Sequence, residues 1–361
     1  MSTSEQFLAR VGIRYPIIQA PMAGVSSPQL AAAVANAGAL GSLGLGASTA
    51  AQARQAIEET RALTDKPFNV NVFCHLPAQR NDGLETAWIE RLAPLFAEVD
   101  AAPPTELDEI YTSFLHSEDV FETLLDLKPT IVSFHFGLPT REQLGALRKA
   151  GIYTLATATS LQEAQLIEEA GVDAIIAQGI EAGGHRGNFD REVITSQSGE
   201  YAIDERLPTS VLTRLLVQRV KLPVIAAGGI MDGQGIKAAL DLGAVAAQLG
   251  TAFILCPEST ANEGYRRNLK SERAAMTRLT NVLSGRPARG IVNRLISYCE
   301  SADGAVPTYP VAYDAAKQLM SAAAKQGNHD YAAHWAGQGA PLAREMPASQ
   351  LVATLVRELS A

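Results

Sequence analysis

Short apolar segments alternate with amphipathic segments through about the first 250 residues, and this alternation constrains the fold more than any other feature. The apolar segments predict eight buried strands: Tyr15–Ala20, Leu40–Leu43, Phe68–Phe73, Thr130–Phe134, Tyr153–Ala156, Asp173–Gln178, Pro223–Ala227 and Val245–Leu249. Helical periodicity lies between them, at Pro28–Ala37, Thr49–Leu63, Thr140–Ala150, Ser160–Ala170 and Gln234–Leu242. Strands joined by helices pair in parallel through right-handed crossovers. Eight of them favour a (β/α)8 barrel of the TIM type over an open doubly wound sheet.

The helix ends carry their own signals. Ser27 precedes Pro28, and Ser160 has Glu163 three residues on, as N-caps do. Glycines stand where left-handed residues close helices: Gly38, Gly151, Gly171 and Gly243. No GxGxxG follows the first strand, which disfavours a dinucleotide-binding fold.

Two segments exceed what a plain barrel needs. Residues 75–117, after the third strand, are polar and contain prolines, so we expect an insertion that acts as a lid. From residue 257 to 361 the hydrophobic periodicity predicts mainly helices, with no clear strand pattern. We therefore expect a barrel domain over 1–256 and a helical substrate-side region over 257–361.

Composition excludes several classes. A net charge of −8 offers no basic face for nucleic acid or an anionic membrane. The start, MSTSEQFLARVG, lacks the layout of a secretory signal, and no apolar run is long enough to span a bilayer. Cys74, Cys256 and Cys299 form no disulfide framework. We expect a cytoplasmic enzyme of unknown oligomeric state.

The last two strand ends predict a phosphate site. Gly228 and Gly229 follow the seventh strand, and Gly250 and Thr251 follow the eighth at a helix start. Backbone N–H groups at these two junctions are where a barrel of this type binds phosphate. The alternative is that the glycines only permit tight turns.

The sixth strand opens into QGIEAGGHRG, with His185 at the centre of a Gly-rich loop. A titratable group at the carboxyl end of a barrel strand predicts a catalytic base. A satisfied structural histidine is the alternative, but so Gly-rich a loop buries little that would need an imidazole.

Amide side chains end two other strands. Asn71 and Gln178 offer a donor and an acceptor each, which matches the edge of a flavin pyrimidine ring, and Pro21 provides a turn that can lie against a flat ring. Each amide is also compatible with an ordinary polar group at a strand end.

Other polar groups have more than one interpretation. His135 ends the fourth strand, and the remaining histidines show no metal-ligand spacing, so we reject a zinc site. Tyr309 precedes a helix on which Tyr313 and Lys317 lie one turn apart, and together they can hold a small anion. A surface helix packing its Tyr stems on the barrel explains them equally well.

The chain contains QAPMAG, VNVF, SFHFG, QGIEAGGHRG, AAGGI, QLGTAF, SGRPARG and the Tyr–Pro–x2–Tyr–x3–Lys segment. Together these segments resemble bacterial class I nitronate monooxygenases, formerly called 2-nitropropane dioxygenases. The resemblance runs from Ile13 to the HWAGQG segment, with no departure at the matched positions, whereas residues 76–108 match no motif.

The resemblance implies a barrel with one non-covalent FMN that oxidises nitronates such as propionate 3-nitronate with O2. It makes His185 the catalytic base. It implies flavin contacts at Met22, Asn71, Gln178, Gly183, Gly184, Gly228, Gly229, Gln248, Leu249, Gly250 and Thr251, and substrate contacts at Tyr111, His135, Tyr265, Tyr309, Tyr313 and Lys317.

Three alternatives remain open from the sequence. A nicotinamide-dependent enoyl-thioester or quinone reductase shares the GGH loop. A barrel lyase or isomerase could use the phosphate site for its substrate, and a non-catalytic flavin-binding protein is the third.

Overall fold

A computed structural model describes residues 2–190, 204–300 and 304–361. Eight parallel strands form one sheet: β1 (Ile17–Gln19), β2 (Gly41–Gly44), β3 (Phe68–Phe73), β4 (Ile131–His135), β5 (Tyr153–Ala158), β6 (Ala174–Gln178), β8 (Val224–Ala227) and β9 (Ala246–Leu249). A further strand, β7 (Gly184–His185), lies between β6 and β8 in the chain but outside this sheet.

The sheet closes into a barrel. Strand order around it follows the chain from β2 to β9, and β9 pairs in parallel with β1. A bridge between Ile18 and Leu40, just before β2, joins the remaining edges, where the Leu40 N–H donates to the Ile17 carbonyl at 2.9 Å. The predicted (β/α)8 barrel is therefore confirmed, because every strand edge finds a partner.

Helices cover the barrel and extend beyond it: α1 (Thr3–Val11), α2 (Pro28–Asn36), α3 (Ala50–Leu63), α4 (Asp82–Ala97), α5 (Glu118–Leu127), α6 (Arg141–Lys149), α7 (Leu161–Ala170), α8 (Thr209–Arg219), α9 (Gly233–Asp241), α10 (Glu263–Leu269), α11 (Arg294–Glu300), α12 (Val311–Ala324) and α13 (Ala348–Leu359). The predicted caps are present, since Ser27 accepts from the Leu30 N–H and Ser160 from the Glu163 N–H. The predicted strands and helices differ from these bounds by at most two residues at either end.

Two strands in the C-terminal region are a correction to the sequence interpretation. Strand β10 (Thr277–Thr280) pairs with β11 (Ala288–Ile291), and β11 pairs with β7, all antiparallel. Sequence reasoning missed them because they are short and carry arginines and a glycine instead of an apolar run. The pairing places residues near 285 directly against the His185 loop.

The insertion after β3 and the C-terminal region pack together in a hydrophobic core that they share. Helix α4 lies against α12, and its Trp88 side chain is only 1% exposed. The other members of this cluster include Leu92, Leu95, Phe96, Leu295, Ile296, Leu319 and Ala323. At the other end of the chain, α13 shares a core with α2 and α9 of the barrel. The division of the chain at residue 256 and the lid role of residues 75–117 stay predictions.

Trp88→Ala tests whether the insertion is part of the packed body. Removing so large a buried side chain should lower the free energy of unfolding by about 3–5 kcal/mol. Denaturant unfolding followed by circular dichroism measures it, with Leu63→Ala as the control, because Leu63 is 47% exposed at the end of α3. A loss below about 1 kcal/mol would instead indicate a loosely attached lid.

Candidate active site

A cavity of about 570 Å³ opens at the carboxyl ends of the barrel strands. Its walls combine the strand ends of the barrel with side chains from the insertion and the C-terminal region. The sequence-predicted residues that line it are Met22, Asn71, Tyr111, His135, Gln178, Gly183, Gly184, His185, Gly228, Gly229, Gln248, Gly250, Thr251, Tyr265, Tyr309, Tyr313 and Lys317. The volume is in the range of cofactor and substrate sites.

Leu249 is the one predicted site residue that the structure does not bring to the cavity wall. Its side chain is buried in the core shared by α2, α9 and α13. Alternation along β9 explains this placement, because neighbouring residues of a strand point to opposite faces. Gln248 faces the cavity, and Leu249 faces the helices.

The His185 backbone is held from two sides. Strand β7 pairs with β11, with His185 opposite Ala288. The His185 carbonyl also accepts from Gln178 Nε2 at 3.0 Å and from His135 Nε2 at 3.2 Å. The ends of β4 and β6 thus fix a Gly-rich loop that would otherwise be flexible.

These contacts limit what Gln178 and His135 can offer a ligand. Gln178 Oε1 accepts from the Gly187 N–H at 2.8 Å, so both ends of this amide hold the loop. His135 Nδ1 contacts the Thr157 hydroxyl at 3.1 Å. Because a carbonyl only accepts, the neutral His135 ring carries its proton on Nε2. The predicted flavin and substrate contacts of these two residues stay predictions, and both residues also act as supports.

The His185 imidazole lies among aromatic rings. Its ring centroid is 5.2 Å from that of Trp335, 5.4 Å from Tyr309 and 5.6 Å from Phe136. Its Nε2 atom lies 2.9 Å from the Ser284 hydroxyl oxygen. These groups pack around the imidazole, which also lines the cavity.

Burial lowers the pKa of His185 from 6.5 to about 3, and nearby His135 and Arg286 add to this effect. Burial likewise lowers the pKa of His135 to about 4. The Arg286 guanidinium is a permanent cation 4.4 Å from the Phe136 ring centroid. Near neutral pH both imidazoles are therefore uncharged, so each ring has one nitrogen with a free lone pair.

Backbone donors line the cavity at the ends of β8 and β9. The N–H groups of Gly228, Gly229, Gly250 and Thr251 have no acceptor within the described ranges of the chain. The phi angles of Gly228 and Gly229 are 126° and 69°, in the region that favours glycine. Such a nest of free amides suits an anion such as a phosphate.

Gln248 adds a further unsatisfied group to this wall. Its Oε1 atom is buried and has no hydrogen-bond partner among the described residues. A buried acceptor of this kind costs free energy unless a donor reaches it. This part of the cavity wall therefore favours a ligand that has an N–H or O–H group.

Phenols and an ammonium group form the third part of the wall. Lys317 Nζ lies 4.9 Å from the Tyr111 ring centroid and 5.5 Å from that of Tyr313, and no carboxylate in the described chain pairs with it. Burial raises the pKa of Tyr111 and Tyr313 to about 12, so both phenols stay hydrogen-bond donors. Tyr265 differs, because its hydroxyl already donates to the Trp335 carbonyl.

Several residues of the site were missed from the sequence. Ser284, Arg286 and Trp335 all approach His185, but they come from segments about 100 or more residues away. In the sequence, SGRPARG and HWAGQG are parts of the family resemblance, but nothing in them predicts that they lie near His185. The signal that could have placed them was the β10–β11 hairpin, which brings SGRPARG to the loop.

Neither a metal-binding cluster nor a membrane-spanning helix occurs among the residues that the structure describes. Within residues 2–190, 204–300 and 304–361, no group of three or more His, Cys, Asp or Glu side chains could hold a metal ion. No helix in those ranges is both long and apolar enough to cross a bilayer.

The carboxyl ends of the barrel strands enclose a cavity with a neutral imidazole and free backbone amides. Enzymes with this fold have their active sites at the same end of the barrel. The family model described as nitronate monooxygenase matches residues 4–358. The chain belongs to the nitronate monooxygenase family, and it is accordingly an oxidoreductase that oxidises nitronates.

Individual relatives agree over the full length. The nitronate monooxygenase of Paraburkholderia phytofirmans is 58% identical over 353 residues, covering 98% of this chain and 94% of the relative. That of Pseudomonas aeruginosa is 55% identical over 358 residues, covering 99% of each. The nitroalkane oxidase structure from Streptomyces ansochromogenes has a TM-score of 0.86 and 41% identity, covering 99% of this chain and 98% of that one.

The low pKa of His185 predicts that it stays neutral from pH 8 down to about 5. Histidine NMR titration of the folded protein should show no midpoint near 6.5 for this residue, whereas the chain in urea should show one. Below pH 6.5, His185 binds a proton in the unfolded chain but not in the folded protein. The free energy of unfolding therefore falls as pH falls. A midpoint near 6.5 in the folded state would contradict this.

Proposed function

We propose that the chain binds one FMN in the cavity and uses O2 to oxidise alkyl nitronates, such as propionate 3-nitronate, to a carbonyl product and nitrite. The observation that carries this proposal is the meeting of a neutral imidazole with free backbone amides and an unpaired Lys317 around one enclosed space. Family membership supplies the reaction class, and the residues supply the binding roles.

The residues of the wall fit a flavin phosphate and ring. The free N–H groups of Gly228, Gly229, Gly250 and Thr251 would bind the phosphate, as backbone amides do at this end of a barrel. The unpartnered Gln248 Oε1 would accept from the flavin ring, whose N–H is a donor. A Cβ atom at Gly183 would lie 2.6 Å from the Gly337 backbone N, so only glycine lets these two segments of the wall approach so closely.

The remaining wall would bind the substrate anion. Lys317 supplies a positive charge at the mouth, and the Tyr111 and Tyr313 hydroxyls supply donors beside it. A nitronate that carries a carboxylate, such as propionate 3-nitronate, has a second anionic group for Lys317 to bind. Trp335 and Phe73, which line the cavity, form apolar walls that would exclude water from the reacting carbon.

His185 would act on the substrate as a general base. A neutral nitroalkane must lose a proton from carbon before it becomes an electron-rich nitronate, and a neutral imidazole can take that proton. A substrate that arrives as the anion needs no such step. A bound flavin supplies the electron transfer between nitronate and O2 that no amino-acid side chain can perform.

The reductase alternative has weaker support. FabK from Thermotoga maritima has a TM-score of 0.73 and 28% identity, covering 98% of this chain and 96% of that one, which is more distant than the relatives named for nitronates. The discriminating experiment is nitrite release with O2 uptake on propionate 3-nitronate, set against anaerobic mixing with NADH and NADPH. We expect nitrite and no bleaching of the flavin by either nucleotide. Flavin reduction by a nicotinamide without nitrite release would reverse the assignment.

His185→Asn separates the two substrate forms. Turnover of a neutral nitroalkane should fall by about 10²–10⁴-fold, because the base is lost, while turnover of the preformed nitronate retains most of its rate. Steady-state kcat/KM with the same nitro compound, supplied neutral or pre-ionised, measures the split. Equal losses on both forms would refute the base role.

Lys317→Met tests recognition of the second anionic group. The KM for propionate 3-nitronate should rise by about tenfold, while the KM for an alkyl nitronate of similar length moves much less, because one charged hydrogen bond is lost. Lys325→Met, just beyond the end of α12, is the matched control with an exposed lysine outside the cavity. If both KM values rise alike, Lys317 does not bind the carboxylate.

A further inference from the structure

We infer that Ser284 is a positioning residue that holds the His185 ring in the tautomer with its proton on Nε2, so that Nδ1 carries the free lone pair. This inference rests on the proposed role of His185 as a base. It goes further by naming the nitrogen that acts and the hydroxyl group that selects it.

The geometry around Ser284 decides the direction of its hydrogen bonds. Its side chain is fully buried, and Oγ lies 2.9 Å from His185 Nε2 and 3.2 Å from the Arg286 carbonyl oxygen. A hydroxyl group has one proton to donate, and a carbonyl oxygen can only accept. When the Ser284 proton goes to the Arg286 carbonyl, Oγ is left to accept from His185, which requires Nε2–H.

The opposite tautomer leaves two groups unsatisfied. If Nε2 accepted the Ser284 proton, the Arg286 carbonyl would lose its one hydrogen-bond donor in the part of the chain that the structure describes. The ring would then carry Nδ1–H, which has no acceptor among the described residues. The loss of the donor to the carbonyl of buried Arg286 costs free energy, so the first arrangement is favoured.

The turn that carries Ser284 is locked against the His185 loop. The Gly285 N–H donates to the Asn281 carbonyl at 2.8 Å, and Gly285 has a phi angle of 85°. A Cβ atom at this glycine would lie 2.3 Å from the Pro307 carbonyl oxygen, so the turn needs glycine here. On the loop side, the Arg186 N–H donates to the Pro287 carbonyl at 2.8 Å.

Arg286 adds a second connection between the turn and the loop. Its guanidinium pairs with Asp190 at 2.9 Å and donates to the Asn188 carbonyl at 2.7 Å. Ser284 is therefore held at a fixed distance from the His185 ring by contacts on both of its sides. A hydroxyl group placed this firmly can select a tautomer, as the partner of a catalytic histidine does in other enzymes.

Nitrogen-15 NMR of the FMN-loaded protein tests the tautomer without measuring activity. The chain has six histidines, and the His185 signals are identified by their loss in His185→Asn. In the unchanged protein we expect Nε2 to show the shift of a protonated nitrogen and Nδ1 that of an unprotonated one. In Ser284→Ala the two shifts should move toward each other as the second tautomer becomes populated. Nδ1–H in the unchanged protein, or identical shifts in Ser284→Ala, would overturn the inference.

Kinetics test whether the tautomer matters to the base. In Ser284→Ala the ratio of kcat/KM for a neutral nitroalkane to kcat/KM for its nitronate should fall at least about tenfold. Ser259→Ala is the matched control, because Ser259 is also buried and donates to a backbone carbonyl, that of Ile254, but does not itself line the cavity. An unchanged ratio in Ser284→Ala overturns the positioning role. Absence of nitrite from any nitronate would instead refute the proposed function, and the NMR result would still decide the tautomer.

Discussion

The rest of the site depends on the two hydrogen bonds that the His185 carbonyl accepts from Gln178 and His135. Each donor stands at the end of a barrel strand, so the rigidity of the barrel is transferred to a loop that glycines would otherwise leave free. The β7–β11 pairing holds the same loop from the C-terminal side. An imidazole anchored in this way keeps its position over the cavity without a carboxylate partner.

Burial and charge then set the chemistry of that imidazole. The aromatic rings of Trp335, Tyr309 and Phe136 pack around it, and Arg286 places a permanent cation nearby, so the neutral form is favoured. At the ends of β8 and β9, backbone amides can bind an anion without bringing in a second positive charge. The cavity thus separates an apolar region for proton transfer from two regions that favour negative charge.

The sequence predicted the barrel and most of its cavity because those signals are local. Apolar strands, helix caps and glycines at strand ends each occupy a few adjacent residues, and the closed barrel brings them to one end. It did not predict β10 and β11, or the approach of Ser284, Arg286 and Trp335 to His185, since these depend on pairing between distant segments. The sequence predicted ligand contacts for Gln178 and His135, but it did not predict the hydrogen bonds that these residues make to the His185 loop. It also predicted a site role for Leu249, whose side chain points into the core because neighbouring residues of a strand face opposite sides.

A crystal structure of the FMN-loaded protein is the most direct test of how the cavity is used. We expect the FMN phosphate within hydrogen-bond distance of the amides of Gly229 and Gly250, and the isoalloxazine ring beside Gly183 with the His185 imidazole facing it across the substrate space. A phosphate bound elsewhere, or a ring out of reach of His185, would contradict this expectation.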